Sequence, residues 1–468
     1  MHRSGFVRTL ALSAVVTLSL VAAVGPRAGY ASSAAAGTTI SVAYSSQYVF
    51  DTNAAAPVWW GSIKKQYEKR YPGSHLTLIG IPGSDVDEVT KLNLMLRSAS
   101  TTPDVMQIPT GPLGAIAAGG YLEPLNKYVQ TWPTWKEIPR NVQYESAVNG
   151  QIYGVNNGNN NCGLFYDRPY FKKAGLPTDW HPRTWADVIN AARAIKKKIP
   201  GVYPFLIIAG KSLGPISVLQ GIGNVMLGSS QPTIYDSKTN KWVSSSSGLL
   251  DTFKFFHTLA SEGLLGPTSD IFEPSSNFFT DMLTKWMPKQ RYGMAIGCNW
   301  MPAVWLPPSA GTGGINWKQG KDVWGAVGMP TEFGQKPGIA SSLGGWAYSM
   351  ASASKHKAEA WNLIKLMEES QNSIAVANGA GFVPPSQKDG NSPAFVNFLV
   401  PYNKIFNSLL PYSTILPSGA NYPKWTQAMN DTTGAMMQNP SMSATDALNM
   451  FNQEATQLIG SDQVETLK

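Results

Sequence analysis

The alternation of strand-like and helix-like segments between residues 38 and 109 is the feature that most constrains the fold. The stretch "TTISVAY" alternates apolar and polar residues, which predicts a strand. The next stretch, "PVWWGSIKKQYEKRYPG", places Trp60, Ile63 and Tyr67 on one helical face. A strand "HLTLIGI", a helix around residues 86–97 and a strand "PDVMQI" follow. This order predicts an α/β fold, with a mainly parallel sheet and helices on its faces.

The rest of the chain continues the pattern without an internal repeat. In "TWADVINAARAIKKK", Thr184 is the predicted N-cap and Asp187 occupies the capping-box position of a helix. The segments "YPFLIIA", "RYGMAIGCNW" and "VWGAVGMP" are predicted buried strands, and "SSLGGWAYSM" is a strand that precedes the helix "SKHKAEAWNLIKLMEES". The chain is long enough for two or three domains with substantial cores.

Residues 1–36 have the pattern of an export signal. A basic start with Arg3 and Arg8 precedes an apolar run from residue 9 to residue 24, and small residues end in "ASSAAAG". We expect cleavage between Ala31 and Ala36. No cysteine follows the apolar run, so we expect an exported, periplasmic or extracellular protein that is not lipid-anchored through an N-terminal cysteine.

Charge and composition argue against several classes of function. The formal net charge is +8, but only 14% of residues are charged and the one dense run, "KKK" at 196–198, ends a predicted helix. We therefore expect no nucleic-acid partner. With five histidines and none at ligand spacing, we expect no metal site and no cofactor. Cys162 and Cys298 are compatible with a disulfide and equally with two buried thiols.

The segment "GKSLG", residues 210–214, matches the G-x-S-x-G pattern of a serine hydrolase and lies between a predicted strand and a predicted helix. The downstream histidines, His257 and His356, lie in or at the start of predicted helices, and no oxyanion-hole segment precedes Ser212. A secreted hydrolase using Ser212 is therefore the alternative, and a protein that is not an enzyme is the preferred interpretation.

Aromatic and amide side chains are abundant instead. The chain has fifteen tryptophans, and Trp300, Trp346 and Trp425 stand near glycine or proline. Five asparagines lie within residues 156–161, where a tight turn between strands and a surface that grips hydroxyl groups are both plausible. A sugar ring needs a flat aromatic below its apolar face and amides around its rim. The composition therefore favours a carbohydrate ligand.

Eight motifs in order resemble the extracellular solute-binding proteins of ABC importers, family 1, the class that includes maltose-binding protein. They include "TPDVMQI" with "AIAAGGYLEPLNKYV", "NGQIYGV", "GLFYDRPYFKKAGLP", "RYGMAIGCNW", "SLGGWAYSM" and "GAGFVPPSQ". Asp167 departs from the usual asparagine after tyrosine, and Val155-Asn156 replaces Val/Ile-Pro. These departures concern the ligand more than the fold.

The resemblance implies a periplasmic-binding-protein-like α/β fold of type II, with two discontinuous lobes, a hinge and an interlobe cleft. After the signal at 1–36, the N-terminal lobe would comprise residues 37–161 and 346–390, and the C-terminal lobe residues 162–345 and 391–468. The chain would act as a monomer that delivers a sugar, preferably an oligosaccharide, to the permease subunits of an ABC importer. A non-sugar solute on the same fold stays open. The predicted ligand-binding residues are Gln47, Asp51, Gln107, Asn157, Asn160, Trp300, Trp346 and Trp425.

Overall fold

The N-terminal βαβαβ unit is confirmed in the computed structural model, which describes residues 37–46, 55–82, 85–307, 314–417 and 419–468. The first strand is parallel to both of its neighbours, with Val42 opposite Leu78 on one side and Val105 on the other. The predicted export signal, Gln47 and Asp51 lie outside the described residues. The described residues form one compact unit.

The strands of the described residues are β1 (Thr39–Ser45), β2 (His75–Ile81), β3 (Val105–Pro109), β4 (Ala147–Val148), β5 (Gln151–Ile152), β6 (Val155–Asp167), β7 (Tyr203–Leu206), β8 (Tyr235–Asp236), β9 (Lys241–Ser245), β10 (Tyr292–Cys298), β11 (Trp324–Val327), β12 (Met329–Pro330), β13 (Ile339–Met350), β14 (Ser413–Ile415) and β15 (Val464–Thr466).

The helices are α1 (Ala55–Arg70), α2 (Asp85–Met95), α3 (Thr110–Ala118), α4 (Asn126–Val129), α5 (Arg140–Gln143), α6 (Arg168–Ala174), α7 (Trp185–Lys198), α8 (Pro215–Ser217), α9 (Gly223–Met226), α10 (Ser247–Ser261), α11 (Thr268–Ile271), α12 (Ser275–Asp281), α13 (Gly320–Val323), α14 (Lys357–Met367), α15 (Ser370–Ala380), α16 (Gln387–Gly390), α17 (Pro393–Val396), α18 (Tyr402–Leu409), α19 (Tyr422–Gln438) and α20 (Ala444–Ile459).

Ten of these strands form the main sheet of the described residues, in the order β2-β1-β3-β13-β6-β10-β7, with β11 paired to β6 and with β12 and β14 paired to β13. The two longest strands, β6 and β13, lie at its centre and are antiparallel to each other. A separate sheet of β15, β9 and β8 packs with α19 and α20. The sheet is therefore mixed, although each outer part contains parallel pairs.

Local sequence signals explain the helices that cover the sheet. Trp60, Ile63 and Tyr67 of α1 are buried, as their spacing predicts, and each such side chain contributes about 1.5–3 kcal/mol of burial free energy. The predicted capping box of α7 is confirmed, because Thr184 accepts a hydrogen bond from the Asp187 amide and Asp187 accepts one from the Thr184 amide. No helix of the described residues is both long and apolar enough to cross a membrane.

Strand β6 changes partner along its length. Residues Val155–Asn161 pair with β13, and Cys162–Tyr166 pair with β10. At the change, Cys162 and Cys298 lie directly opposite each other and form a disulfide across β6 and β10. Both cysteines are buried, so the bond joins two strands within the core rather than at the surface.

Two sequence interpretations are wrong. The asparagines at 156–161 do not form a turn, because they lie inside the thirteen-residue strand β6, which is buried throughout. The helix expected after "GKSLG" is broken into short pieces: a 3-10 segment at Lys211–Leu213, α8, a π-helical segment at Val218–Ile222 and α9. Gly221 has a non-helical backbone within this region and interrupts the regular pattern.

Candidate functional site

The buried amides of β6 hold neighbouring loops in place. Asn159 donates through Nδ2 to the carbonyl oxygens of Val383 (3.1 Å) and Pro384 (3.2 Å). Asn161 donates through Nδ2 to the carbonyl oxygen of Phe406 (2.9 Å). A buried backbone carbonyl without a hydrogen-bond donor is costly. These two asparagines supply donors to the buried carbonyls of neighbouring segments. Part of the cluster is therefore structural.

Asn156 belongs to a second polar group near the start of β6. Its Oδ1 accepts from Ser146 Oγ at 2.9 Å and its Nδ2 donates to the carboxylate of Glu145. The other carboxylate oxygen of Glu145 accepts from Thr110 Oγ1 at 2.8 Å. Burial raises the pKa of Glu145 to about 7, although both hydrogen bonds act in the opposite direction. This acid joins the end of β3 to β6.

The Oδ1 atoms of Asn157, Asn159, Asn160 and Asn161 are all buried and have no hydrogen-bond partner among the described residues. Asn157 and Asn160 differ from Asn159 and Asn161 only in that they do not donate through Nδ2 to a loop carbonyl. Asn157 has no partner across the sheet, since Trp346 pairs with Gly158 and Ala347 with Asn156. Asn160 pairs with Gly344 and is 9% exposed. Four amide acceptors without a hydrogen-bond partner among the described residues therefore lie at the centre of the sheet.

Trp300 is positioned by the same strand. The preceding residue, Asn299, donates through its backbone amide to the Asn161 carbonyl (3.0 Å) and through Nδ2 to the Asn159 carbonyl (2.7 Å). The Trp300 indole then donates to Gln220 Oε1 at 3.4 Å and packs edge-on against Phe279, with ring centroids 5.2 Å apart. The disulfide of Cys298, two residues before Trp300, restricts how far Trp300 can move from β6.

Trp346 approaches the same region from β13. It pairs with Gly158 of β6 and Pro109 of β3, and its side chain is 4% exposed. Two residues earlier, a Cβ added to Gly344 would lie 3.1 Å from Leu219, the neighbour of Gln220. Trp300, Gln220, Leu219 and Gly344 therefore form a connected set beside Asn160, and Trp346 lies two residues further along β13.

Two further predicted ligand residues are described, Gln107 in a strand and Trp425 in a helix. Gln107 lies on β3 opposite Tyr348 and is 8% exposed. Trp425 was expected near the ligand, but it lies within α19 with no exposed surface, donates to the Val243 carbonyl at 2.8 Å and packs against Phe451. It is a core residue, because its neighbouring proline begins α19 instead of opening a loop.

The segment 210–214 has structural contacts. Lys211 forms an ion pair with Asp431 of α19 at 2.6 Å, and Asn430 donates to the Gly214 carbonyl at 2.7 Å. His257 lies within α10, and His356 is the residue that precedes α14. The strand-to-helix elbow of a serine hydrolase is not formed, since a 3-10 segment follows β7 after four residues.

Acidic groups of the described residues do not assemble a metal site, since no group of three or more His, Cys, Asp or Glu side chains there could hold an ion. Asp167, the departure from the resembled pattern, caps α6 by accepting from the Tyr170 amide at 2.8 Å and also accepts from Gln290 at 2.7 Å. Burial raises its pKa to about 6. Asp167 therefore has a structural role.

Sequence reasoning missed Gln220 and Phe279, which contact Trp300, and Leu219, the neighbour of Gln220. Their segments carry no motif, although a glutamine within the apolar run "ISVLQGIGNVM" was a usable signal. A polar side chain in an apolar helix is expected either to satisfy a backbone group or to face a ligand. The Glu145 group was missed because its partners, Asn156 and Thr110, lie 11 and 35 residues away, beyond the range of local sequence signals.

Comparisons with known proteins bear on this arrangement. The sequence matches the family described as bacterial extracellular solute-binding protein over residues 51–374. A protein of Brucella abortus (strain 2308), named only as a binding protein, is 24% identical over 394 residues, which cover 83% of this chain and 86% of that one.

Solved structures that resemble this chain more closely in fold than in sequence include those of two binding proteins. The cyclic alpha-maltosyl-1,6-maltose binding protein from Arthrobacter globiformis has a TM-score of 0.73 at 16% identity, covering 91% of this chain and 99% of that chain. UgpB from Mycobacterium tuberculosis, in complex with glycerophosphocholine, has a TM-score of 0.69 at 14% identity, covering 90% and 98%. This likeness shows the fold, which is the predicted periplasmic-binding-protein-like α/β fold.

Proposed function

Because this chain belongs to the bacterial extracellular solute-binding proteins, we propose that it captures an oligosaccharide between two lobes and delivers it to the permease subunits of an ABC importer. The function is binding without turnover. The observation that carries the proposal is the convergence of Trp300, Gln220 and Leu219 on the centre of the sheet beside Asn160 and Trp346.

The proposed lobes comprise residues 37–161 with 346–390 and residues 162–345 with 391–468. Strand pairing supports this division, since β6 exchanges β13 for β10 between Asn161 and Cys162. The second boundary is supported by β13, which pairs with β14 through Ser341–Leu343 and with β3 through Trp346–Met350. A hinge at these two strands would let the lobes rotate without breaking either sheet half.

The proposed ligand contacts are stacking by Trp300 and Trp346 and hydrogen bonding by Gln107, Asn157 and Asn160. Gln47 and Asp51 are proposed on sequence grounds alone. Amides with unpaired acceptors suit hydroxyl donors, and indoles suit the apolar face of a sugar ring. None of these residues is basic, so the set offers no cation to a phosphate, which favours a sugar over an anionic solute.

The closed form is the state that the proposal assigns to this structure. The two indoles are only 9% and 4% exposed, and a Cβ on Gly381 of the first lobe would lie 2.7 Å from Trp300 Cα of the second. A ligand that contacts both lobes stabilises this form relative to an open one, and the permease would recognise the closed form.

A thermal-shift panel of mono-, di- and oligosaccharides tests the ligand class, with sn-glycerol phosphates and polyamines as non-sugar arms. A saccharide at one hundred times its Kd adds about 2.7 kcal/mol to stability, which for a chain of this length raises Tm by about 3 °C. The sugar assignment fails if no saccharide raises Tm while a non-sugar solute does.

Variants test the site. Trp300→Ala and Trp346→Ala should each weaken saccharide affinity at least tenfold, as expected for loss of about 1.4 kcal/mol or more of aromatic contact. Trp135→Ala, a half-buried indole elsewhere, is the matched control. Equal losses for all three would show that the effect comes from stability. Ser212→Ala should leave affinity unchanged, and an esterase activity lost in this variant would support the hydrolase instead.

We also propose that the chain is exported, with residues 1–36 removed, and acts as a monomer. Mass spectrometry of the secreted protein and size-exclusion chromatography with light scattering test these statements. An intact N-terminus on the exported protein would contradict the first, and a dimer at micromolar concentration would contradict the second.

A further inference from the structure

One buried acid contacts side chains next to the proposed ligand residues of the first lobe. Glu145 lies two residues after α5 and is 4% exposed. One of its carboxylate oxygens accepts a hydrogen bond from Asn156 Nδ2 of β6, and the other accepts from Thr110 Oγ1, at the start of α3, at 2.8 Å. Asn156 directly precedes Asn157, a proposed ligand contact. Glu145 therefore bears on the ligand site through residues beside it.

The pairing of β6 with β13 is irregular at this point. Trp346 pairs with Gly158 and Ala347 pairs with Asn156, which leaves Asn157 as the extra residue of a β-bulge. A bulge bends its strand and re-aims the side chains next to it. Trp346 and Asn157, two of the proposed ligand contacts, therefore have orientations that depend on this bulge.

The Thr110 hydroxyl connects Glu145 to the other strand of the bulge. Its oxygen lies 2.8 Å from Glu145 Oε1 and 3.2 Å from the carbonyl oxygen of Gly345, the residue before Trp346. A hydroxyl has one proton, so it donates to one of these two acceptors at a time. An ionised Glu145 is the stronger acceptor and takes this hydrogen bond. A protonated Glu145 donates to Thr110 Oγ1 instead, and the hydroxyl then donates to the Gly345 carbonyl.

We propose that Glu145 is a positioning residue for the proposed ligand site. Its protonation redirects the Thr110 hydroxyl to the Gly345 carbonyl, and this changes how β13 presents Trp346. This role rests on the proposed function, since it concerns how the proposed ligand contacts are held. The ionised acid accepts charge-assisted hydrogen bonds from both Thr110 and Asn156, and such bonds are the stronger kind. The site is therefore better ordered, and binds saccharide more tightly, when Glu145 is ionised.

The Gly345 carbonyl reports this change without any ligand. The Gly-Trp dipeptide occurs once in the sequence, at Gly345-Trp346, so protein labelled with carbonyl-¹³C glycine and ¹⁵N tryptophan gives a single HNCO signal from this bond. Because burial raises the pKa of Glu145 to about 7, the carbonyl shift should titrate with its midpoint at about pH 7. Glu145→Gln and Thr110→Val should abolish the titration, and Thr110→Ser, which keeps the hydroxyl, should retain it. A wild-type carbonyl shift that stays constant across this pH range would overturn the proposal.

A second buried acid supplies the matched control. Other charged or titratable side chains lie around Glu145, on its own segment, before β6, beside the same cavity and on β13: Arg140, Tyr144, Tyr153, Tyr235 and Tyr348. This set contains no carboxyl and no imidazole group, but Glu368 interacts with Tyr348, and burial raises the pKa of Glu368 well above its usual range. Glu368→Gln should keep the titration of the Gly345 signal. Titration lost in Glu368→Gln and kept in Glu145→Gln would overturn the proposal.

Saccharide affinity, measured by titration calorimetry, tests the link to the ligand site. The wild-type Kd for the saccharide that most raises Tm should increase about fivefold from about pH 8 to about pH 5, at the low end of usual couplings between sites. Glu145→Gln should have one Kd at both pH values, close to that of the wild type at the lower pH. Should this variant fail to fold, Thr110→Val should lose the pH dependence and Thr110→Ser should keep it.

The outcomes separate this role from the proposed function. A saccharide that binds the wild type with a pH-independent Kd would overturn the role of Glu145 and leave the proposed function standing. Binding of a non-sugar solute and of no saccharide would refute the proposed ligand class, and the same pH comparison with that solute then decides the role of Glu145.

Discussion

Replacing Glu145 by glutamine should change how stability depends on pH. Burial raises the pKa of Glu145 to about 7 from an ordinary 4.5. The folded protein therefore holds this proton more tightly than the unfolded chain does. Stability is fully present below about pH 4.5, falls as pH rises toward about 7, and is then level.

The size of the effect follows from the shift. Each pKa unit corresponds to about 1.4 kcal/mol, so ionisation of Glu145 costs about 3.4 kcal/mol in full, of which about 2.5 kcal/mol falls between pH 5 and pH 8. Glutamine is neutral throughout this range. The free energy of unfolding of Glu145→Gln should thus rise relative to the wild type by about 2.5 kcal/mol from pH 5 to pH 8.

Urea unfolding followed by circular dichroism at pH 5, 6, 7 and 8 measures this difference. Glutamine cannot accept from Asn156 and Thr110 as a carboxylate does, so the variant can be less stable at every pH, and the pH dependence is the test. Asp462→Asn, at an exposed acid, is the control. A stability difference that varies by less than about 0.5 kcal/mol between pH 5 and pH 8 would refute the reasoning.

Three further predictions concern stability. Cys162→Ala/Cys298→Ala removes a cross-link of sequence separation 136, which in the chain-entropy model lowers the free energy of unfolding by about 5 kcal/mol, and dithiothreitol should destabilise the wild type but not this variant. Thr184→Ala should cost about 1 kcal/mol in urea unfolding through loss of the α7 cap, and Thr184→Ser, which can restore the hydrogen bond, should cost less. Trp425→Ala should cost about 3–5 kcal/mol as a core truncation. Its folded fraction should bind saccharide with unchanged affinity, and a specific affinity loss would return Trp425 to the ligand site.

The sequence predicts those elements whose signals come from residues close together in the chain. The faces of α1, the capping box of α7 and the order of β1, β2 and β3 depend on neighbouring residues, and each is confirmed. The family resemblance also depended on short motifs in order, and the match over residues 51–374 bears it out.

Sequence could not assign the asparagines of β6. An asparagine that donates to a loop carbonyl and one that does not have the same identity and similar neighbours in the sequence. The partners of Asn159 and Asn161 lie 224 and 245 residues away, and only the paired sheet brings them together. For Trp425 the sequence predicted a ligand contact where the structure has a core residue. A tryptophan near a proline can lie in a loop or at the start of a helix, and its packing against Phe451 shows that Trp425 lies in the core.

Local chemistry thus determined the α/β class, the helix ends and the wealth of indoles and amides. The tertiary structure decided which of these side chains meet, that the two cysteines face each other across β6 and β10, and that Glu145 is enclosed without a cation among the described residues. The physical reason is that periodicity and capping act over a few residues, whereas burial and pairing join residues well separated in the chain, by 136 positions in the disulfide and by 35 between Glu145 and Thr110.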